Sequence, residues 1–163
     1  MIESVTMSLD MTDKKQRVLV LCTGNSARSQ MAEGLINAQL ADRFVAFSAG
    51  TQPAGYAHPQ AIAALREIGI DISDHRSKSA DEFKGTPFDV VITVCDDAAR
   101  STAAENCPVW LGQGQRVHIG FPDPAAAPPD QQAQQFRAVR DAIQDRLLDY
   151  LRRWQPEVNR RKA

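Results

Sequence analysis

Regular patterning begins at Arg17–Cys22, where V18-L-V-L-C22 is a short, nearly continuous apolar run of the kind found in strands covered on both faces. A helical period replaces it from about Arg28 to Ala41: Met31, Leu35 and Ala38 fall on one stripe, and only Gly34 stands against the helix. Phe44–Ser48 reads as a second strand, closed by Ala49-Gly50 and the breaker-rich T51-Q-P-A-G55. His58–Ile68 is a second helix, with Pro59 tolerated in its first turn and Gly69 ending it. The run F88-D-V-V-I-T-V-C95 repeats the character of the first strand, and Val117–Ile119 predicts a further short one. Beyond Pro128-Pro129, Asp130 is placed to cap a long helix whose apolar positions Phe136, Val139, Ile143, Leu147, Leu151 and Trp154 step by three and four. Strands alternating with helices predict right-handed crossovers and a small parallel sheet with helices on both faces, an α/β fold.

At 163 residues and 43% hydrophobic, the chain carries enough apolar surface for one domain without disulfide staples. Residues 17–155 are read as that domain, 1–16 as a loose arm without a period, and 156–163 as a short basic tail. A formal charge of −1 leaves no electrostatic footprint for nucleic acid, and no apolar run approaches the ~18 residues of a membrane span. The N-terminus lacks the basic-then-apolar layout of a secretion signal, so a cytoplasmic protein without nucleic-acid or membrane partners is expected, as a monomer. In that reducing compartment three cysteines do not make a static disulfide framework, and Cys22, Cys95 and Cys107 each require a chemical explanation. A metal is not expected: His58, His75 and His118 are scattered, and no two cysteines have zinc-like spacing.

The chemistry concentrates where the first strand runs into the first helix. A loop from a strand to a helix N-terminus points several backbone N–H groups into one space and adds the positive end of the helix dipole, which welcomes an anion. The loop Thr23, Gly24, Asn25, Ser26 and Ala27 fits that role, with Gly24 and Asn25 suited to positive-φ backbone. Arg28 supplies a planar fork able to hold two oxygens of a tetrahedral oxyanion. The same field favours the thiolate at Cys22, and Ser29 is placed to donate its hydroxyl to that sulfur. A thiolate at the base of an oxyanion nest is a nucleophile aimed at the central atom of the bound anion.

C22-T-G-N-S-A-R-S29 followed by Q30-M-A-E-G34 resembles the arsenate reductases built on the low-molecular-weight tyrosine phosphatase fold. The similarity continues through S48-A-G50, D71-I-S-D-H75, V91-I-T-V-C95, C107-P-V-W110 and H118-I-G-F-P-D-P124. The resemblance implies a four-stranded parallel sheet and reduction of arsenate to arsenite through a cysteine relay. It further implies no bound cofactor and an external thiol donor, thioredoxin in the three-cysteine type. Cys22 and Cys95 each close an apolar strand, and the carboxyl ends of parallel strands share one edge. In the implied relay Cys22 attacks arsenic, a Cys22–Cys95 disulfide forms as arsenite leaves, and Cys107 moves the disulfide outward to Cys95–Cys107.

An oxygen leaving a tetrahedral centre needs a proton, and Asp123 in F121-P-D-P124 is the best-placed acid, held by prolines on either side. A plain turn is the competing account of that segment, and Asp96 and Asp97 compete for the acid role. Some proteins of the resembled family hold potassium at positions matching Asn25, Glu33 and Ser48 plus an acid after His75. Here R76-S-K-S79 offers Lys78 at the acid's place, which predicts no potassium requirement. Two rivals stand beside the reductase: a tyrosine phosphatase of the same fold, and a non-catalytic oxyanion-binding module. Ala27 before the arginine and Ala125-Ala126-Ala127 after Asp-Pro argue against the phosphatase, which by resemblance carries a cysteine and aromatics there.

Overall fold

The structure, a computed structural model, describes residues 14–96, 110 and 112–156. Four strands, β1 (Gln16–Cys22), β2 (Phe44–Gly50), β3 (Val90–Thr93) and β4 (Gln115–His118), form one parallel sheet in the order β2-β1-β3-β4. Helices α1 (Arg28–Gln39) and α2 (Pro59–Arg66) join the first three strands, and α3 (Gln132–Ala142) runs through a π-helical segment, Ile143–Leu148, into α4 (Asp149–Arg153). Short 3₁₀ turns occupy Ala80–Phe83 and Pro124–Ala126.

Strand alternation divides the core. Val18, Val20 and Cys22 of β1, with Val90 and Ile92 of β3, meet the α-helices through Met31, Leu35, Leu65, Phe136 and Leu147. Leu19, Leu21 and Val91 point the other way and pack with Phe88 and Trp110, flanked by Phe47 and by Phe83 from the first 3₁₀ turn. Both faces of the central strand β1 are therefore buried, which is why it reads as a continuous apolar run. Among the described residues no helix is long and apolar enough to cross a membrane.

The helical stripe on α1 differs from the predicted one. Ala32 and Ile36 are buried beside Met31 and Leu35, while Ala38 is exposed. The last turn instead presents Asn37, whose amide exchanges two hydrogen bonds with the backbone of Ala46 in the edge strand β2. Gly34 has a packing reason: a Cβ there would stand 2.7 Å from Ile72 Cγ2 and 2.8 Å from Leu65 Cδ1, so its absence lets α2 lie close. Gly34→Ala is expected to lower stability by about 1–2 kcal/mol, the overpacking strain exceeding the gain in helix propensity, readable as a lower Tm.

Three further boundaries move. β2 runs on through Ala49 to Gly50; β3 is confined to Val90–Thr93, Phe88 packing into the aromatic cluster before it, while single backbone bonds from Asp89 to Arg17 and from Val94 to Leu21 flank it. β4 begins at Gln115. Asp130 is not the cap of the long helix: α3 starts at Gln132 without a side-chain cap on its first N–H groups. Its start is anchored by a tertiary device instead, Gln132 Nε2 donating to the carbonyls of Ala125 and Ala127. The π-helical segment was not legible in the three-and-four stepping; it buries Leu147 and Leu148 together.

Candidate active site

Cys22 ends β1, and its sulfur lies at the floor of the loop leading to α1, 2% exposed. The backbone N–H of Asn25 donates to Sγ at 3.2 Å, and Ser29 Oγ is 2.9 Å from it. Asn25 Nδ2 donates to that same Oγ at 2.8 Å, which leaves the serine proton free to point at sulfur. The Asn25 N–H and the Ser29 hydroxyl thus meet at Cys22.

Asn25 is the one non-glycine residue with positive φ, +48°, among the described residues. Asparagine tolerates this conformation, and the site saturates its side chain: Nδ2 also donates to Ser48 Oγ, while Oδ1 accepts from Lys78 N–H and Gln30 Nε2. Gly24, predicted to share the left-handed backbone, does not adopt it, and a Cβ there would meet only Ser26 Oγ at 3.7 Å. The conformational demand falls on Asn25 alone.

Gln30 is a residue that sequence reasoning did not single out. Fully buried, it donates through Nε2 to the carbonyl of Asn25, to its Oδ1 and to the carbonyl of Arg76, and its Oε1 faces His75 Nδ1 at 3.0 Å. His75 thus shapes the loop by orienting Gln30. The available signal was a polar residue in the first turn of a helix, next to two buried apolar positions. Gly50 closes the S48-A-G50 stretch; a Cβ there would run into the carbonyl oxygen of Thr23 and crowd Asn25 N.

Arg28, the first residue of α1, is 4% exposed. Its Nη1 donates to the carbonyl of Phe121 at 3.2 Å, and Nη2 stands 4.0 Å from Asp123 Oδ2. Asp123 is half-exposed and holds Ala125 N–H with its other oxygen. Asp123 and Arg28 therefore lie on one side of the loop. His58 lies on the same side: it caps α2 by accepting Gln60 N–H on Nδ1, and its own N–H donates to the carbonyl of Ser26. Burial pushes the imidazole below its ordinary range, partly opposed by the charge of Asp123.

Beside the cradle, Ser48 Oγ donates to Glu33 Oε1 at 2.5 Å. Lys78 Nζ is 3.7 Å from that carboxylate oxygen and donates to the carbonyl of Arg76 at 2.9 Å. An ammonium is thus already paired with the Glu33 carboxylate, and these residues do not fit a potassium ion in the same place.

β3 is the immediate neighbour of β1, with Leu21 opposite Thr93, so Cys22 and Cys95 leave adjacent strand ends at one edge of the sheet. Strand spacing there is about 4.8 Å. Val94 joins the face occupied by Cys22, so strand alternation sends Cys95 toward the other one. The end of β3 must rotate for the two sulfurs to meet. Cys22 is a free thiol, whereas the buried Cys95 is disulfide-bonded. Cys107 and Asp97 lie outside the described residues.

Residues 17–162 match the family model described as low molecular weight phosphotyrosine protein phosphatase. A protein named arsenate reductase from Halalkalibacterium halodurans is 42% identical over 138 residues, 83% of this chain and 95% of that protein. A solved arsenate reductase in the phosphate binding state superposes with a TM-score of 0.64 at 30% identity, covering 86% of this chain and 99% of the other. A low molecular weight protein tyrosine phosphatase from T. tengcongensis superposes with a TM-score of 0.56, also at 30% identity, covering 80% and 99%. These matches extend over most of the chain, which belongs to the low molecular weight phosphotyrosine protein phosphatase family and within it is similar to proteins named arsenate reductase.

Proposed function

We propose that this protein reduces arsenate to arsenite, with Cys22 as nucleophile and Cys95 and Cys107 as the relay. The observation that carries the reading is the placement of Cys22, beside the Asn25 N–H and the Ser29 hydroxyl, at the end of the strand next to β3, two residues beyond which Cys95 lies. The oxyanion is held by N–H groups of Thr23 to Ser29 and by the Arg28 fork. Cys22 attacks arsenic, and Asp123 protonates the oxygen that leaves as water. Cys95 then attacks the Cys22 sulfur; the electron pair of the S–As bond passes to arsenic, which departs as arsenite, leaving a Cys22–Cys95 disulfide. Cys107 displaces Cys22 from Cys95, and an external dithiol, of the thioredoxin kind, reduces the Cys95–Cys107 pair.

The direct test is mass-spectrometric mapping of disulfides in reduced protein after arsenate is added without a reductant. The expected product is Cys95–Cys107, with about one equivalent of arsenite released; unmodified thiols, or a product lacking Cys95, would refute the relay.

The Lys78–Glu33 pair carries a separate expectation. Exchanging sodium for potassium at constant ionic strength should leave kcat/KM for arsenate unchanged within about twofold, since the ammonium already supplies the counter-charge. A severalfold rise in potassium would show that Lys78 does not fill that role.

A further inference from the structure

Phe121 joins three parts of the site. Its N–H donates at 3.2 Å to the carbonyl of Val94, the residue before Cys95, and its carbonyl accepts from Arg28 Nη1. The ring itself is buried, 1% exposed, and the Arg146 guanidinium lies over it, 4.8 Å from the centroid. Arg146 Nη1 also donates to the carbonyl of Gly120 at 3.0 Å. Arg146 thus holds Gly120-Phe121 by two contacts, a hydrogen bond to the Gly120 carbonyl and its cation over the Phe121 ring face.

Its setting is unusual. Arg146 lies in the π-helical segment Ile143–Leu148, and such wide turns inside α-helices are frequent at functional sites. The fold does not need Arg146 for its core: the side chain is on the exposed side of a helix whose buried positions are Ile143, Leu147 and Leu148.

We infer that Arg146 is a positioning residue for oxyanion binding. By clamping Gly120-Phe121 it fixes the carbonyl that orients Arg28, and it holds Asp123, two residues further on, at its distance. Arg28 Nη2 and Asp123 Oδ2 stand 4.0 Å apart, at the outer edge of an ion pair. A loosened loop lets them close on each other, and the fork is then spent on the carboxylate instead of the substrate. The inference rests on the proposed role of Arg28 and extends it to a residue that touches no substrate.

The test compares wild type, Arg146→Met, Arg146→Lys and Arg28→Ala for arsenate KM and kcat, and for the inhibition constant of inorganic phosphate. Arg146→Met is expected to raise KM and the phosphate constant in parallel, roughly tenfold, with kcat within about twofold and Tm little changed. Arg146→Lys, which keeps a donor and a cation, should recover most of the loss. Phosphate binding like wild type in Arg146→Met, against a loss in Arg28→Ala, would overturn the role of Arg146 alone. Wild-type phosphate binding in both would remove Arg28 from the cradle and the inference with it. A fall in kcat and Tm together, unrescued by lysine, would mark a merely structural contact and equally overturn it.

Discussion

With Cys95 replaced by serine, arsenate is expected to consume Cys22 and then stop: steady-state arsenite production should fall by more than about a thousandfold. The reason is electronic. Arsenic becomes arsenite only when an electron pair is left on it, and that requires a second thiol to take the Cys22 sulfur away. Serine keeps the shape of the buried strand end but is far too weak a nucleophile toward sulfur. Hydrolysis of an aryl phosphate needs only Cys22, Arg28 and Asp123, and should therefore survive in Cys95→Ser within a few-fold of wild type. Cys22→Ser, by contrast, should abolish both reactions. The pair of assays separates the reductase from a phosphatase of the same family: sustained arsenite release by Cys95→Ser would discard the relay. In the proposed relay Cys95 is the second thiol; it follows the strand next to that of Cys22, although alternation turns it from the Cys22 face. The proposed step requires a rotation of the β3 end after Val94, a residue held by bonds to Leu21 and Phe121.

The sheet and its helices were legible because each strand and helix carried its own period, and because the two buried faces of β1 leave a continuous apolar run in V18-L-V-L-C22. The cradle was legible for a different reason: nucleophile, loop and arginine are consecutive in the chain, so local spacing records them. What spacing does not record is tertiary. Gln30 supports the loop through a carbonyl of Arg76, 46 residues away, and Arg146 reaches Gly120 from 26 residues away. Asp130 looked like a helix cap because its type and place suit one, but Gln132 holding the Ala125 and Ala127 carbonyls sets where α3 begins. Ala38 shared the angular stripe of Met31 and yet is exposed, in the turn where Asn37 meets the strand edge and Leu40 takes the buried position.

Two glycines border the cradle, and their replacement by alanine is expected to separate by about two orders of magnitude. Gly24→Ala should cost a few-fold at most: its φ lies outside the left-handed region and a Cβ would touch only Ser26 Oγ, a side-chain atom that can turn away. Gly50→Ala meets backbone. Its Cβ would overlap the Thr23 carbonyl oxygen and stand 3.0 Å from both Thr23 C and Asn25 N. Neither partner can rotate aside, and Gly50 cannot retreat, because its N–H is bonded to the Lys78 carbonyl and it is bridged to Ser79 on the far side. The strain therefore enters the loop, where Asn25 N is the donor aimed at Cys22 Sγ. A displacement near 1 Å of that donor is expected to lower kcat/KM by about a hundredfold, and the overpacking to lower stability by about 1–3 kcal/mol. Because reduction and ester hydrolysis share the cradle, both should fall together in Gly50→Ala, unlike Cys95→Ser, where only reduction is lost. Wild-type kcat/KM in Gly50→Ala for both substrates would mean the loop yields without moving its donor, and the close packing of β2 against the nest would then have no catalytic consequence.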